Sequence, residues 1–357
     1  MDKMTHVKFN FNNFLMGISG ALNNIEDNNR FDVSYESKRV AYIALKLTNY
    51  MNFEPEHFSD MFSYSVLYLF VHDKSDLERL PFIDSNIYTN ESYEEIIQLA
   101  IEIEKNLEVK NNFIMNKSLI KDIVLGNKSY SDSLKESFDD LSTDMTFWLD
   151  LMQDCQLPFF IYNFLQDFTI EISYEKLIEL SEVINKIVYN YTDNQNASTI
   201  GIKCKSICEV YSMDDKDTSR MVLASNFHSL GKLFVSKEVF LKNTKLNDIE
   251  YDSIKSIPYF TASILKQIFG FDDIAKLCST YAEKLDGSGY PYELEASYLS
   301  LKDRILSILV IYQALVEQRV YRKKYTHNEA IQILRDEAKL GKIDKTIVED
   351  FDKHFKK

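Results

Sequence analysis

Imidazoles and carboxylates are the side chains that hold catalytic metals, and a multi-metal centre needs several of them to converge. The chain carries six histidines, His6, His57, His72, His228, His327 and His354, scattered along its length. His72 is followed by Asp73, but the pair opens a charged run, Asp73-Lys74-Ser75-Asp76, which reads as a solvated helix end. His228 is followed by Ser229 and stands four residues before Lys232, one turn apart if a helix continues through them. Such a lysine packs its stem and leaves its head in water. Cys204 and Cys208, four apart, share one helix face, a poor geometry for a disulfide and no zinc signature alone. With Cys155 and Cys278 they read as four small buried side chains of a reducing cytoplasm. The most distinctive segment is Glu283-Lys284-Leu285-Asp286-Gly287-Ser288-Gly289-Tyr290-Pro291, where two of the nine glycines lie close together. Glycine belongs where φ turns positive or something approaches closely, so this segment alone reads as a tight turn between helices.

Helices must position these groups. Val40, Ile43, Ala44, Leu47 and Met51 form one stripe at three-or-four spacing. Leu177, Ile178, Leu180, Val183, Ile184, Ile187, Val188 and Tyr191 form another. Thr326 with Glu329, and Ser300 with Asp303, have the spacing of capping boxes that open helices. Only nine glycines and five prolines punctuate 357 residues, and no convincing series of alternating strands is present. The expected fold class is all-α. Gln156-Leu157-Pro158 could interrupt a helix, which places a boundary between Cys155 and Ser173. The polar run from Thr192 to Ser198 reads as a turn within the second half.

The length suits two domains, and 45% hydrophobic residues can fill real cores. A net charge of −14 repels phosphate backbones and anionic lipid, so neither a nucleic-acid polymer nor a membrane is an expected partner. The basic clusters are short, at Arg319 to Lys324 and at the C-terminus. Ile305 to Val316 is too short for a membrane span and is expected as a buried core helix. The opening, Met1 to His6, does not read as a signal peptide, and the expected localisation is cytoplasmic.

Taken in order, several segments carry a resemblance. They are Phe227-His228-Ser229-Leu230-Gly231-Lys232, the loop Glu283 to Pro291, Leu301-Lys302-Asp303-Arg304, Tyr312-Gln313-Ala314-Leu315, Arg319-Val320-Tyr321-Arg322-Lys323 and the helix after Thr326. From about Thr192 to Phe355 the chain resembles the HD-GYP family. The resemblance implies a helical bundle whose histidines and aspartates hold several metals. A metal-bound hydroxide there attacks a phosphodiester of cyclic di-GMP or a related molecule. It further implies that the family's ligand positions fall here at Asn196, His228, Ser229, Ile257, Tyr281, Ala282 and Val310. Of these seven, only His228 keeps a ligand side chain. Ile257, Ala282 and Val310 cannot bind a metal, and Tyr281 is a poor ligand at neutral pH. These apolar residues lead us to expect packed side chains where ions and water would lie. No metal and no cofactor is expected. The resemblance leaves Lys232, Asp286, Gly287, Gly289, Tyr290 and Arg322 as candidate ligand-binding residues.

A fainter copy lies upstream. Glu36-Ser37-Lys38-Arg39-Val40-Ala41 resembles the helix of the first family histidine, with Glu36 in its place, and Asp60 to Leu69 resembles the next helix, with Tyr68 and Leu69 as the pair. Glu36 to Tyr68 spans 68 − 36 = 32 residues, and Asn196 to His228 spans 228 − 196 = 32. Equal spacing fits two HD-type units offset by 160 positions. The expectation is two HD-type helical bundles in tandem, over residues 1–165 and 170–357. The leading functional expectation is a non-catalytic signalling, regulatory or scaffold protein, with a protein partner or a homodimer. A receptor for a cyclic dinucleotide or other phosphate ligand is the second. An active cyclic di-GMP phosphodiesterase with relocated ligands, recruiting His72, Asp73 or Glu283, is the third.

Overall fold

The apolar stripes fold as helices, and their burial shows why. Val40, Ile43, Ala44 and Leu47 lie on a helix at Ser37–Tyr50 that is buried on nearly every side, with Tyr42 and Leu45 also inaccessible. The computed structural model describes residues 6–22, 37–68, 76, 79–80, 91–107, 113–153, 155–165, 169–192, 199–318 and 323–356. Two compact units divide the chain: Asn10–Thr169 forms one, and the residues up to Phe9 join Ile170–Lys357 in the other.

The Asn10–Thr169 unit contains α1 (Phe11–Leu22), α2 (Ser37–Tyr50), α3 (His57–Leu67), α4 (Glu91–Lys105), α5 (Phe113–Gly126), α6 (Asp132–Thr143), α7 (Met145–Asp150) and α8 (Leu157–Tyr162). Helix α2 packs against α1, α3, α4, α6 and α8, which explains its burial all round. Its one buried cation, Arg39, is matched by Glu104 of α4 at 3.0 Å. Such pairing is what lets a charge sit in a core. Pro158 falls in the first turn of α8, where the missing N–H costs nothing.

The other unit begins with β1 (His6–Asn10), which pairs with β2 (Thr169–Ser173). Both strands are five residues long, and each buries an apolar residue: Phe9 in β1 and Ile172 in β2. The helices are α9 (Tyr174–Tyr191), α10 (Ile200–Val210), α11 (Asp215–Phe227), α12 (Lys237–Leu241), α13 (Asp248–Lys255), α14 (Ile257–Leu265), α15 (Asp272–Thr280), α16 (Leu301–Val316), α17 (His327–Lys339) and α18 (Lys345–Phe355). Helix α11 packs on α9, α10, α15 and α16. The apolar run from Ile305 lies within α16, with Ile305, Leu306, Ile308 and Leu309 buried. Among the described residues no helix is long and apolar enough to cross a membrane. Cys204, Cys208 and Cys278 are buried, but Cys155 is exposed, because it sits in the turn that leads into α8.

Two helix ends repeat along the chain. Helices α2 and α10 end at Tyr50 and Val210, 210 − 50 = 160 residues apart. Helices α3 and α11 end at Leu67 and Phe227, 227 − 67 = 160 apart. Tyr68 and His228 therefore occupy the same C-terminal capping position of their helices.

Candidate functional site

Helix α11 starts at a cap, where the Asp214 carboxylate accepts from the Asp217 N–H at 2.7 Å. It ends at His228, whose N–H donates to the Ala224 carbonyl. The helix does not continue to Lys232, so the one-turn relation of His228 to Lys232, which depended on a continuing helix, does not arise. Leu230–Phe234 forms a 3-10 turn instead. Gly231 explains the change, since a β-carbon there would lie 2.1 Å from the Ile257 carbonyl oxygen of α14. The bare backbone comes close enough for the Gly231 N–H to donate to the Thr261 hydroxyl at 2.8 Å, and that hydroxyl donates to the His228 carbonyl at 3.2 Å. One glycine thus holds His228, Lys232 and the start of α14 together.

Around this junction lies a cavity of about 520 Å³. His228, Ile257, Tyr281, Ala282 and Val310 all line it, so five of the positions expected from the resemblance converge from four stretches of chain. The space is open, which corrects the expectation that packed side chains fill it. Ala282 and Val310 are short, and the Ile257 side chain is 4% exposed, already packed into the wall. Ser229 points elsewhere: its hydroxyl donates to Asn185 Oδ1 of α9 at 3.3 Å in the core. Asn196 and Arg322 lie outside the described residues, as do Glu36, Leu69, His72 and Asp73.

The His228 ring is 5% exposed, with Nδ1 2.6 Å from the Ser225 carbonyl. A carbonyl only accepts, so Nδ1 carries the proton. The ring also meets Tyr281 edge-on, with centroids 5.3 Å apart. Burial holds the Tyr281 phenol well above its ordinary range, with Tyr290 and Cys278 adding to the shift. Burial and the nearby Tyr251 push Tyr290 up to about 12. Both phenols are therefore neutral at physiological pH.

A multi-metal centre does not fit these residues. Ile257, Ala282 and Val310 offer no lone pair, and Tyr281 resists ionising. Among the described residues no three His, Cys, Asp or Glu side chains gather as a metal site requires. Glu283 is not a free carboxylate for recruitment, because its oxygens accept from the N–H groups of Tyr292 at 2.8 Å and Leu294 at 2.9 Å.

The Asp-Gly-Ser-Gly-Tyr-Pro loop is shaped by its own residues. Asp286 accepts from the N–H and hydroxyl of Ser288, and those bonds hold its carboxyl below the usual range. Gly287 has φ +77°, and a β-carbon on Gly289 would lie 2.3 Å from Glu283 Cα. The Tyr290–Pro291 peptide is cis. Asp286, Gly287 and Gly289 are not among the described residues lining the cavity. They build the turn that presents Tyr290.

Lys232 and Tyr290 do line the cavity, together with residues that the sequence reading missed: Lys284, Gln313, Glu317 and Tyr189. Gln313 Nε2 and the Tyr189 hydroxyl donate to Glu317 Oε1 at 2.5 and 2.9 Å. Lys203 donates to Gln313 Oε1 at 2.9 Å. The Lys232 ammonium lies 5.4 Å from the centre of the Tyr189 ring. Burial lowers the Lys284 pKa, and Glu337 works against that shift. A signal was present: Val310, Gln313 and Glu317 follow at steps of three and four, the spacing of one helix face, and the first two lie on α16 with Glu317 as its C-cap.

Comparison with known proteins places this unit. Residues 179–347 match the model of the HD domain family. The chain is 29% identical over 153 residues to the 3'3'-cGAMP-specific phosphodiesterase 1 of Vibrio cholerae, covering 43% of this chain and 36% of that protein. It is 34% identical over 114 residues to a cyclic di-GMP phosphodiesterase of the same organism, covering 30% of this chain and 23% of that one. The chain thus spans about a third or less of the length of these relatives. A solved cyclic GMP-AMP-specific phosphodiesterase from Vibrio cholerae shares the fold over 98% of both chains, with a TM-score of 0.54 and 14% identity. The likeness to the HD domain thus lies in residues 179–347, the stretch of chain that carries the cavity.

Proposed function

We propose that the protein is a non-catalytic member of the HD-GYP branch of this family, acting as a signalling, regulatory or scaffold protein. One observation carries the reading: the cavity at the expected ligand positions is walled by Ile257, Ala282 and Val310 around a single histidine. Metal-dependent phosphodiester hydrolysis needs cations to neutralise phosphate charge and generate hydroxide, and hydrocarbon walls supply neither. The paired helix ends at an offset of 160 support two HD-type units in one chain, with Tyr68 of the first standing where the second has His228. The test is elemental analysis of the purified protein, with hydrolysis assays on cyclic di-GMP and 3'3'-cGAMP in added manganese or iron. The expected result is no stoichiometric metal and no turnover. Stoichiometric metal with turnover would establish an active phosphodiesterase instead.

A second reading, a receptor, is favoured by the open cavity itself. Its volume lies in the range of small-molecule sites, and Lys232 and Tyr290 stand on its wall. The similar Vibrio cholerae proteins are named for cyclic dinucleotides, which makes those compounds the first to screen. Absence of any ligand-induced thermal stabilisation would count against this reading.

A further inference from the structure

A much smaller cavity, of about 10 Å³, lies where the segment from Glu283 meets α16 and the turn between α17 and α18. Glu283, Asp303 and Ser307 line it and are only 1%, 2% and 6% exposed. Asp303 and Ser307 stand one turn apart on α16. The Ser307 hydroxyl is buried and has no hydrogen-bond partner among the described residues. Buried serines of other helices behave differently: Ser181 and Ser225 each donate to the carbonyl three residues earlier at 2.7 Å. Leaving a buried hydroxyl unmatched is costly, so Ser307 needs a partner inside the cavity.

The two carboxylates have capacity for the same partner. Each carboxylate oxygen can accept two hydrogen bonds. Glu283 accepts one N–H at each oxygen, from Tyr292 and from Leu294. Asp303 Oδ2 is filled by the N–H and hydroxyl of Ser300, but Oδ1 accepts only from the Thr280 hydroxyl. The size of the cavity suits one water molecule or one ion. A metal ion would be set near the Arg304 guanidinium, and an anion near Glu283 and Asp303, since all three line the same space. Water meets neither repulsion. It can accept from Ser307 and donate to two carboxylate oxygens, within the two to four bonds usual for buried water.

We infer that this cavity is a binding site for one structural water, which accepts from the Ser307 hydroxyl and donates to the Glu283 and Asp303 carboxylates. The water joins α16 to the Glu283 segment through groups that make no direct bond to each other. Glu283 in turn holds Tyr292 and Leu294, just past the Tyr290–Pro291 peptide. The bridge therefore steadies the loop that brings Tyr290 to the wall of the larger cavity. It does so whether or not that cavity takes a ligand, and whether or not the protein is catalytic.

High-resolution crystallography of the full chain tests it, together with urea denaturation of Ser307→Ala. The expected result is an ordered water at about 2.5–3.0 Å from Ser307 Oγ and from an oxygen of Glu283 or Asp303. A cavity without ordered density would overturn the inference. So would a peak ringed by six or more oxygens at about 2.0–2.6 Å, which is a metal ion. Ser307→Ala separates a bonded hydroxyl from an unmatched one. Losing a bond to the water should lower the folding equilibrium constant about two- to fivefold, even though alanine is the better helix former. Removing an unmatched hydroxyl would instead relieve the fold, so a urea midpoint that stays or rises would overturn the inference. Should the variant fail to fold, the density in the parent protein decides alone.

Discussion

His228 is held by contacts on its ring and on its backbone. Its Nδ1 proton is committed to Ser225, its ring edge rests on Tyr281, and its carbonyl accepts from Thr261. Those contacts give the imidazole a packing role that requires no ion. Glu283 is the complementary case, a carboxylate buried to 1% whose two oxygens staple the far side of the loop through Tyr292 and Leu294. Replacing Glu283 with Ala should cost about 1–3 kcal/mol of stability by leaving those N–H groups without acceptors. Urea denaturation measures it, and an unchanged midpoint would show the staple to be dispensable. The sequence exposed the loop's glycines but not this role. Glutamate before Lys-Leu-Asp-Gly carries no local pattern, because its partners are backbone groups nine and eleven residues on. Likewise, side-chain type alone could not tell a filled space from an open one at Ala282 and Val310; that depends on how far four separate segments stand apart.

At the scale of elements, what was legible followed from periodicity and caps. The Val40 and Leu177 stripes are α2 and α9, and the capping boxes at Ser300 and Thr326 are formed as spaced. Asp303 does more than cap α16: its other oxygen accepts from the Thr280 hydroxyl at 2.6 Å, tying α16 to the end of α15 and so setting Val310 against Tyr281 and Ala282. The strands escaped notice because five residues give only two apolar alternations each, Val7 with Phe9 and Ile170 with Ile172. The last two helices carry a pH-sensitive contact. Arg335 of α17 donates to Glu349 and Asp352 of α18, at 2.6 and 2.7 Å through Nη2. Arg335 holds the Glu349 carboxyl below its usual range. Burial favours the protonated form of Asp352, but hydrogen bonds from Arg335 and His327 outweigh it and bring that carboxyl down too. Carboxyls lowered in the fold stabilise it above the ordinary carboxylate range, and that contribution disappears as pH falls through their folded values. The stability gap between the parent and Arg335→Gln should therefore be present at neutral pH and shrink below about pH 4. Urea titrations at several pH values read it directly, and a gap independent of pH would show that the charges do not matter. The contact is only partly buried and solvent still screens it, so the gap should be small.

For the whole molecule, the division into units does not follow a single cut in sequence. The expected boundary between residues 165 and 170 falls beside the observed change at Thr169–Ile170, but the first residues of the chain return to the second unit. Phe9, 1% exposed, meets Phe271 edge-on at 5.8 Å, and Val7 lies against Gly270. Phe9→Ala should destabilise the unit that holds the cavity by about 3–5 kcal/mol. Hydrogen exchange resolved along the chain would show the loss in α11 and α15, and a loss confined to the helices of Asn10–Thr169 would contradict this assignment. A pattern-based reading had no means of finding the link, since it joins residues more than 250 positions apart.

The pairing of β1 with β2 also fixes an order of events during translation. The ribosome releases His6–Asn10 ahead of its partner strand, which begins 169 − 10 = 159 residues later. At about 5–20 residues per second, that interval is roughly 10–30 s. Throughout it, β1 lacks β2, its partner among the described residues, while the helices of Asn10–Thr169 gain all of their own sequence. The unit that carries the cavity is thus begun before the Asn10–Thr169 unit and completed after it, and β1 must stay out of other pairings until the ribosome has passed residue 173.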